Sequence, residues 1–119
     1  MKVLITAGAS GIGLAMGQGF AAKGAQVWVT DVDQAALDTA PNDWIKTRCD
    51  ASDEPAMARL FEDIQARWGT LDTLCANAGI AGPTAMVEDV EPDDFRRCVA
   101  VNLEGAFLAA KYAAPMMKA

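Results

Sequence analysis

Thr6-Ala7-Gly8-Ala9-Ser10-Gly11-Ile12-Gly13 stands between the apolar run Val3-Leu4-Ile5 and a segment of helical pattern. A strand that enters closely spaced glycines and leaves as a helix makes an anion cradle. Glycine admits positive φ and lets a ligand approach without meeting a Cβ, and the free N–H groups of the first helical turn point at negative charge. The expected guest is a pyrophosphate, held by Gly8, Ser10, Gly11, Ile12 and Gly13; the bland alternative for such a loop, taken alone, is an ordinary tight strand-to-helix turn. The P-loop pattern G-x-x-x-x-G-K-[ST] matches Gly8 and Gly13 but then meets Leu14 and Ala15, so no lysine reaches a γ-phosphate. G-x-G-x-x-G finds Gly11 and Gly13 but has Met16 in the third place. A G-x-S-x-G elbow is spoiled by Ile12, and the chain has no His to serve a serine nucleophile. T-x-G-x-x-G-x-G remains.

With 119 residues the chain amounts to one domain or less. Its net charge of −6 is spread without a basic cluster, which argues against nucleic acid and against an anionic membrane surface, and leaves small molecules as the expected partners. Cys49, Cys75 and Cys98 are odd in number and show no C-x-x-C spacing, the usage of free thiols in a reducing compartment. Without His, the usual zinc and copper sites lack ligands, and no metal is expected. The N-terminal apolar run is too short for a signal or a membrane span, so a cytoplasmic location is expected.

Taken in order, residues 2–6 read as a buried strand and 11–23 as a helix stopped by Gly24. Gly17 and Gly19 inside it call for a packing reason. Val27-Trp28-Val29-Thr30 is a second strand ending at Asp31, eighteen residues after Gly13. In a βαβ nucleotide unit an acidic residue there accepts hydrogen bonds from the ribose hydroxyls and repels a 2′-phosphate; the alternative is a solvated strand-end carboxylate. With Ser10 in the loop and Val32 after Asp31, no cation is expected for that phosphate, which favours NAD over NADP. A short helix spans 33–39 and a third strand 44–49, with Asp50-Ala51 at its end. Ser52 is the expected cap of the next helix, whose buried face is Met57, Leu60, Phe61 and Ile64. Leu71 to Cys75 is the fourth strand, followed by Ala76-Asn77-Ala78-Gly79, and 80–91 is a loop. Pro92 then opens a long helix, 92–118, with Arg97, Glu104, Lys111 and Lys118 on one stripe and two apolar faces. One face carries Phe95, Val99, Ala106, Ala110, Ala113 and Met117, the other Cys98, Val101, Leu108 and Tyr112. A helix apolar on two faces is covered twice.

The glycine loop, Asp31, Asp50-Ala51, Asn77-Ala78-Gly79 and Val101-Asn102-Leu103-Glu104-Gly105 fall in an order that resembles the classical short-chain dehydrogenases/reductases over the whole chain. The loop departs from that family's T-G-x-x-x-G-x-G at Ala7, with the glycine one place later at Gly8. The resemblance implies an α/β doubly wound parallel sheet, a Rossmann fold, of strand order 3-2-1-4. It implies Asp50 at the adenine amino group, with Ala51 beside the ring. It also implies Asn77-Ala78-Gly79 under the first loop, and Asn102 as the anchor of a water in a proton relay. By residues alone Asn102 reads equally as a buried amide satisfied by local backbone. The family pairs its subunits through the helix equivalent to 92–118, which implies a homodimer or homotetramer.

The resemblance also implies catalysis by a Ser, a Tyr and a Lys four residues after the Tyr. Tyr112 is followed at that distance by Met116, and the chain closes on Met117-Lys118-Ala119 without a capping signal. Residues 1–119 are therefore expected to be the N-terminal portion of one NAD-binding domain, interrupted within helix 92–118. The catalytic set would lie beyond residue 119, and the chain by itself is expected to be inactive. The expected function is NAD-dependent interconversion of an alcohol and a ketone or aldehyde; the alternative is a non-catalytic dinucleotide-binding module.

Overall fold

The computed structural model describes residues 1–119 and has no helix long and apolar enough to cross a membrane. Its element order is β1 (Lys2–Ile5), α1 (Gly11–Ala22), β2 (Gln26–Asp31), α2 (Gln34–Thr39), β3 (Ile45–Arg48), α3 (Glu54–Arg67), β4 (Thr73–Cys75), a 3₁₀ turn at Val87–Asp89, and then a continuous helical run. The four strands form one sheet in the order β3-β2-β1-β4, parallel throughout, with Leu4 beside Trp28 and Leu74 and with Asp31 beside Arg48. The order 3-2-1-4 places the reversal of winding between β1 and β4, where the connections that follow the two strands part and open a crevice.

The alternation of the strands divides the core. Val3, Ile5, Val27 and Val29 face α1 and α2, packing on Leu37, Ala40 and Trp44. Leu4 and Trp28 face the other side, against Met57, Leu60, Phe61, Ile64 and Trp68 of the α3 segment and Ala109 and Ala113 of the last helix. Both faces of the sheet are covered, as a parallel sheet requires. Gly17 lies flat on the Trp44 indole, where a Cβ would collide with the ring. Gly19 faces open space, and nothing in the structure explains it.

Two local expectations are corrected. The cap of α3 is Asp53, whose Oδ1 accepts a hydrogen bond from the Ala56 amide at 3.2 Å; the Ser52 hydroxyl turns back to Asp50 Oδ1, at 2.7 Å. The segment 92–118 is interrupted by an i→i+5 turn: α4 (Pro92–Val99) passes through π-helical Ala100–Glu104 into α5 (Gly105–Lys118). An extra residue in one turn rotates everything after it, so the seven-residue stripe read across the whole segment does not persist as a single face. The packed side is Val101, Gly105, Leu108, Ala109 and Ala113, with Tyr112 stacked on Phe61 at 6.0 Å between centroids. Ala113 thus lies on the inner side, while Phe95 and Met117 are exposed, together with Leu103 and Phe107.

Candidate functional site

The first loop departs from β1 through a tightly constrained path. Ala7 has φ +54° and Gly11 φ +56°, both in the left-handed region. Left-handed backbone costs a non-glycine residue roughly 1 kcal/mol or more, so Ala7 is held there by its surroundings. Its carbonyl accepts from Asn77 Nδ2 at 3.2 Å, and the next amide, Gly8 N–H, donates to Thr30 O at 2.9 Å. Gly8 must be glycine for a separate reason: a Cβ there would stand 2.5 Å from Val29 Cγ1. At Gly13 a Cβ would run into Ala7 O and come within 2.7 Å of Asn77 Nδ2. The loop after β1, the start of α1 and the loop after β4 therefore meet without room for one methyl group.

Thr6 makes the junction. Its buried hydroxyl oxygen accepts from two successive amides across the crevice, Asn77 N–H at 2.9 Å and Ala78 N–H at 3.0 Å. The hydroxyl that directly follows β1 is the one signal in the sequence for this role.

What the loop leaves open is the N-terminus of α1. Ser10 occupies the cap position with extended backbone, yet its side chain makes no capping bond and no acidic residue lies in the first turn. The amides of Gly11, Ile12 and Gly13 are left to an external acceptor, and Ser10, Gly11 and Ile12 are exposed around them. Asp31 reaches toward the same loop: Oδ2 accepts from Ala9 N–H at 3.3 Å and Oδ1 from Asp33 N–H at 3.1 Å. Beyond Asp31 a recess opens between Val32, Asp50, Ala51, Ala78, Gly79 and Arg97.

Asp50 is heavily engaged. Oδ1 accepts from both the amide and the hydroxyl of Ser52, at 2.9 and 2.7 Å, and Oδ2 forms an ion pair with Arg97 Nη2 at 3.0 Å. Burial works to raise its pKa, but the two Ser52 bonds and the Arg97 guanidinium outweigh it and hold the carboxyl below the usual carboxylate range. Arg97, which also donates to Ser52 Oγ at 3.0 Å, went unrecognised in the sequence because only the fold brings α4 over the end of β3. Ala51 accommodates the return of the chain: a Cβ on Gly105 would stand 3.3 Å from the Ala51 Cβ.

Strand pairing brings a basic residue near Asp31 that its sequence neighbours do not: Arg48, its register partner on β3, donates from Nε to the Val32 carbonyl at 3.2 Å.

Asn102 lies in the π turn, and its amide pairs with one residue of the loop after β4. Oδ1 accepts from Ile80 N–H at 2.7 Å, and Nδ2 donates to Ile80 O at 2.9 Å. The partner lies 22 residues away and the side chain is exposed, so the reading of Asn102 as a buried amide satisfied by local backbone does not hold; the pairing leaves one lone pair and one N–H of the amide free. Asn102 is exposed, and a Cβ on Gly79 would stand 3.1 Å from its Oδ1. The cysteines are free, and burial, with Asp53 and Asp50 nearby, pushes the Cys49 thiol up to about 11, which makes it a poor nucleophile at neutral pH.

The arrangement offers open helix amides for an anion, a cradle that one Cβ would fill, a carboxylate bonded to the glycine loop, and a recess lined by small residues. A family model described as enoyl-(acyl carrier protein) reductase matches residues 6–119. The chain is 37% identical over 124 residues to cis-4-hydroxycyclohexanecarboxylate dehydrogenase of Sinomonas cyclohexanicum, covering 98% of this chain and 49% of that protein. It is 36% identical over 121 residues to the NADP-dependent (R)-specific alcohol dehydrogenase of Lentilactobacillus kefiri, covering 97% of this chain and 48% of that one. It superimposes on the crystal structure of 3-ketoacyl-(acyl-carrier-protein) reductase from Brucella melitensis complexed with NADH with a TM-score of 0.92 at 32% identity, covering 98% of this chain and 50% of that chain. The chain thus spans about half the length of the curated relatives it matches.

Proposed function

The chain belongs to the short-chain dehydrogenase/reductase family, and from that premise we propose that it is the dinucleotide-binding part of an oxidoreductase that interconverts an alcohol and a ketone or aldehyde. The observation that carries the proposal is the N-terminus of α1, left without a cap behind a loop closed by Gly8, Gly13 and Asn77, with Asp31 across from it. A bound nicotinamide supplies or accepts the hydride; the protein binds, orients and moves the proton. In this reading Gly11, Ile12 and Gly13 take the pyrophosphate on their amides. Asp31 takes the ribose hydroxyls, and Ala78 and Gly79 give the adenosine a wall without side chains.

Asp50 has one acceptor position left on Oδ2 after its bonds to Ser52 and Arg97, enough for one N–H of an adenine amino group. Asn102 uses the free half of its amide to hold a water of the proton relay, while Ile80 fixes its orientation. Residues 1–119 do not supply the family's Tyr and Lys pair, since Met116 stands four residues after Tyr112. The exposed Leu103, Phe107 and Met117 give the helical run 92–118 the surface through which a homodimer or homotetramer would form. A cytoplasmic setting accords with three free thiols.

NAD is the proposed cofactor, because a carboxylate at Asp31 opposes a 2′-phosphate. The relative named as NADP-dependent and the neighbour solved with NADH show that similarity by itself leaves the choice open, so binding must decide it. The test is titration of the natural polypeptide with NADH and NADPH, followed by an absorbance assay over secondary alcohols and ketones. The expected result is tighter NADH binding and NADH-linked turnover. Binding of neither dinucleotide would end the proposal, and binding without turnover would favour the non-catalytic module.

A further inference from the structure

We propose that Arg48 is a specificity-determining residue of the dinucleotide site: it is the cation that a phosphate on the ribose 2′-hydroxyl would meet, so Asp31 and Arg48 together set the choice between the two nicotinamide cofactors. This rests on the dinucleotide reading given above. Asp31 and Arg48 are paired in register at the C-terminal ends of adjacent parallel strands, which sends their side chains to the same face of the sheet. Arg48 is anchored in that position, Nε donating to the carbonyl of Val32, the residue that follows Asp31. Nε is the only one of its nitrogens bonded within the protein, so the two terminal nitrogens of the fork are available. No carboxylate claims them: the ion pairs of the molecule are Arg96 with Asp93 and Arg97 with Asp50.

The surroundings sharpen the role. Asp31 spends one oxygen on Ala9 N–H and the other on Asp33 N–H, which places the carboxylate between the glycine loop and the turn that Arg48 grips. Asp33 is turned to its own helix, accepting from Ala36 N–H. A ribose seated on Asp31 therefore has its 2′-oxygen bounded by one carboxylate and one guanidinium. A bare hydroxyl donates to the carboxylate. A phosphate is repelled by Asp31 and drawn by the planar fork of Arg48, which matches phosphate oxygens two at a time. The discrimination against NADP is accordingly smaller than Asp31 alone would give.

The test is a double-mutant cycle on the natural polypeptide, with NADH and NADPH affinities measured for the wild type, Asp31→Ser, Arg48→Met and the double variant at low and moderate salt. Arg48→Met is expected to lower NADPH affinity relative to NADH about fivefold at low salt, within the range of an exposed charge pair. Asp31→Ser is expected to shift the ratio toward NADPH, and the double variant to lose most of that gain. Arg48→Lys keeps the charge and should restore most of the NADPH affinity, which separates charge from any loosening of the turn at Val32. An unchanged NADPH-to-NADH ratio in Arg48→Met, with NADH still bound, overturns the proposal and leaves the dinucleotide reading standing. The same holds for an equal loss of both cofactors that Arg48→Lys fails to restore. Failure of the wild type to bind either cofactor overturns both.

Discussion

The N-termini of α1 and α3 lie at the same edge of one sheet, each just after a parallel strand, and they are finished in opposite ways. At α3 Asp53 closes the helix through Ala56 N–H, Glu54 adds charge to the first turn and Pro55 has no amide to satisfy. At α1 Ser10 stands in the cap position and makes no bond, and the first turn holds only glycine and Ile12 before Leu14. The chain completes the end that serves stability and withholds completion at the end that faces the crevice. An uncapped helix end is a cost in the folded state and a gain only when an anion arrives, so the contrast is the one expected if the α1 terminus binds as proposed while that of α3 is structural.

The contrast can be broken most severely at Gly13. In Gly13→Val the added atoms must displace Ala7 O and Asn77 Nδ2, which couples the α1 terminus to both crossing loops. Dinucleotide affinity is expected to fall at least a hundredfold, about 2.7 kcal/mol by the usual conversion, and isothermal titration would measure it. Retained affinity would mean that the close approach does not matter.

Ser10→Asp makes α1 resemble α3. Calorimetric stability is expected to hold or rise, by up to ~1 kcal/mol for a working carboxylate cap, while dinucleotide affinity falls roughly tenfold or more because the new charge lies where the pyrophosphate would sit. A parallel loss of both quantities would argue against an anion site. The reciprocal change, Asp53→Ala, is expected to cost ~1 kcal/mol of stability in a denaturant titration with affinity little altered. A larger effect on binding than on stability would erase the distinction between the two ends.

The mildest test uses pH at the turn leading into α3. Since the folded-state pKa of Asp50 lies below its ordinary value of 3.8, its contribution to stability is present above that value and is lost as pH falls through the lower, folded-state pKa. Replacing Arg97 by Met should bring that loss to a higher pH, readable as a shift in the acid limb of a thermal-melt series. No shift would mean that Ser52 alone accounts for the depressed value.

How much of this was legible in the sequence depended on the range of the interactions. The sheet order was accessible because the glycine loop and the residues at the strand ends carry a family resemblance that implies it, and Met57, Leu60, Phe61 and Ile64 of α3 pack as their periodicity implies. The cap of α3 falls one residue later than expected because Ser52 and Asp53 are both competent caps, and only the bond from the Ser52 hydroxyl to Asp50 decides between them. The π turn was hidden: its residues, Ala100–Glu104, carry no breaker, and its effect is a rotation of faces rather than an end to the helix. Arg48 and Arg97 could not be placed, since each acquires its meaning from a neighbour that is distant in sequence or across a strand pair.

The Thr6 hydroxyl, which receives two amides from the opposite side of the crevice, has a consequence for exchange with solvent. Asn77 and Ala78 belong to no strand, and amides of a connecting segment ordinarily exchange their hydrogens rapidly. Here they are tied to a buried oxygen at the end of the central strand, so their release requires β1 and β4 to part. Their protection reports the opening of the sheet at its switch point, and Thr6→Val should turn the two slowest protons of a loop into fast ones while leaving those of β2 and β3 as they were.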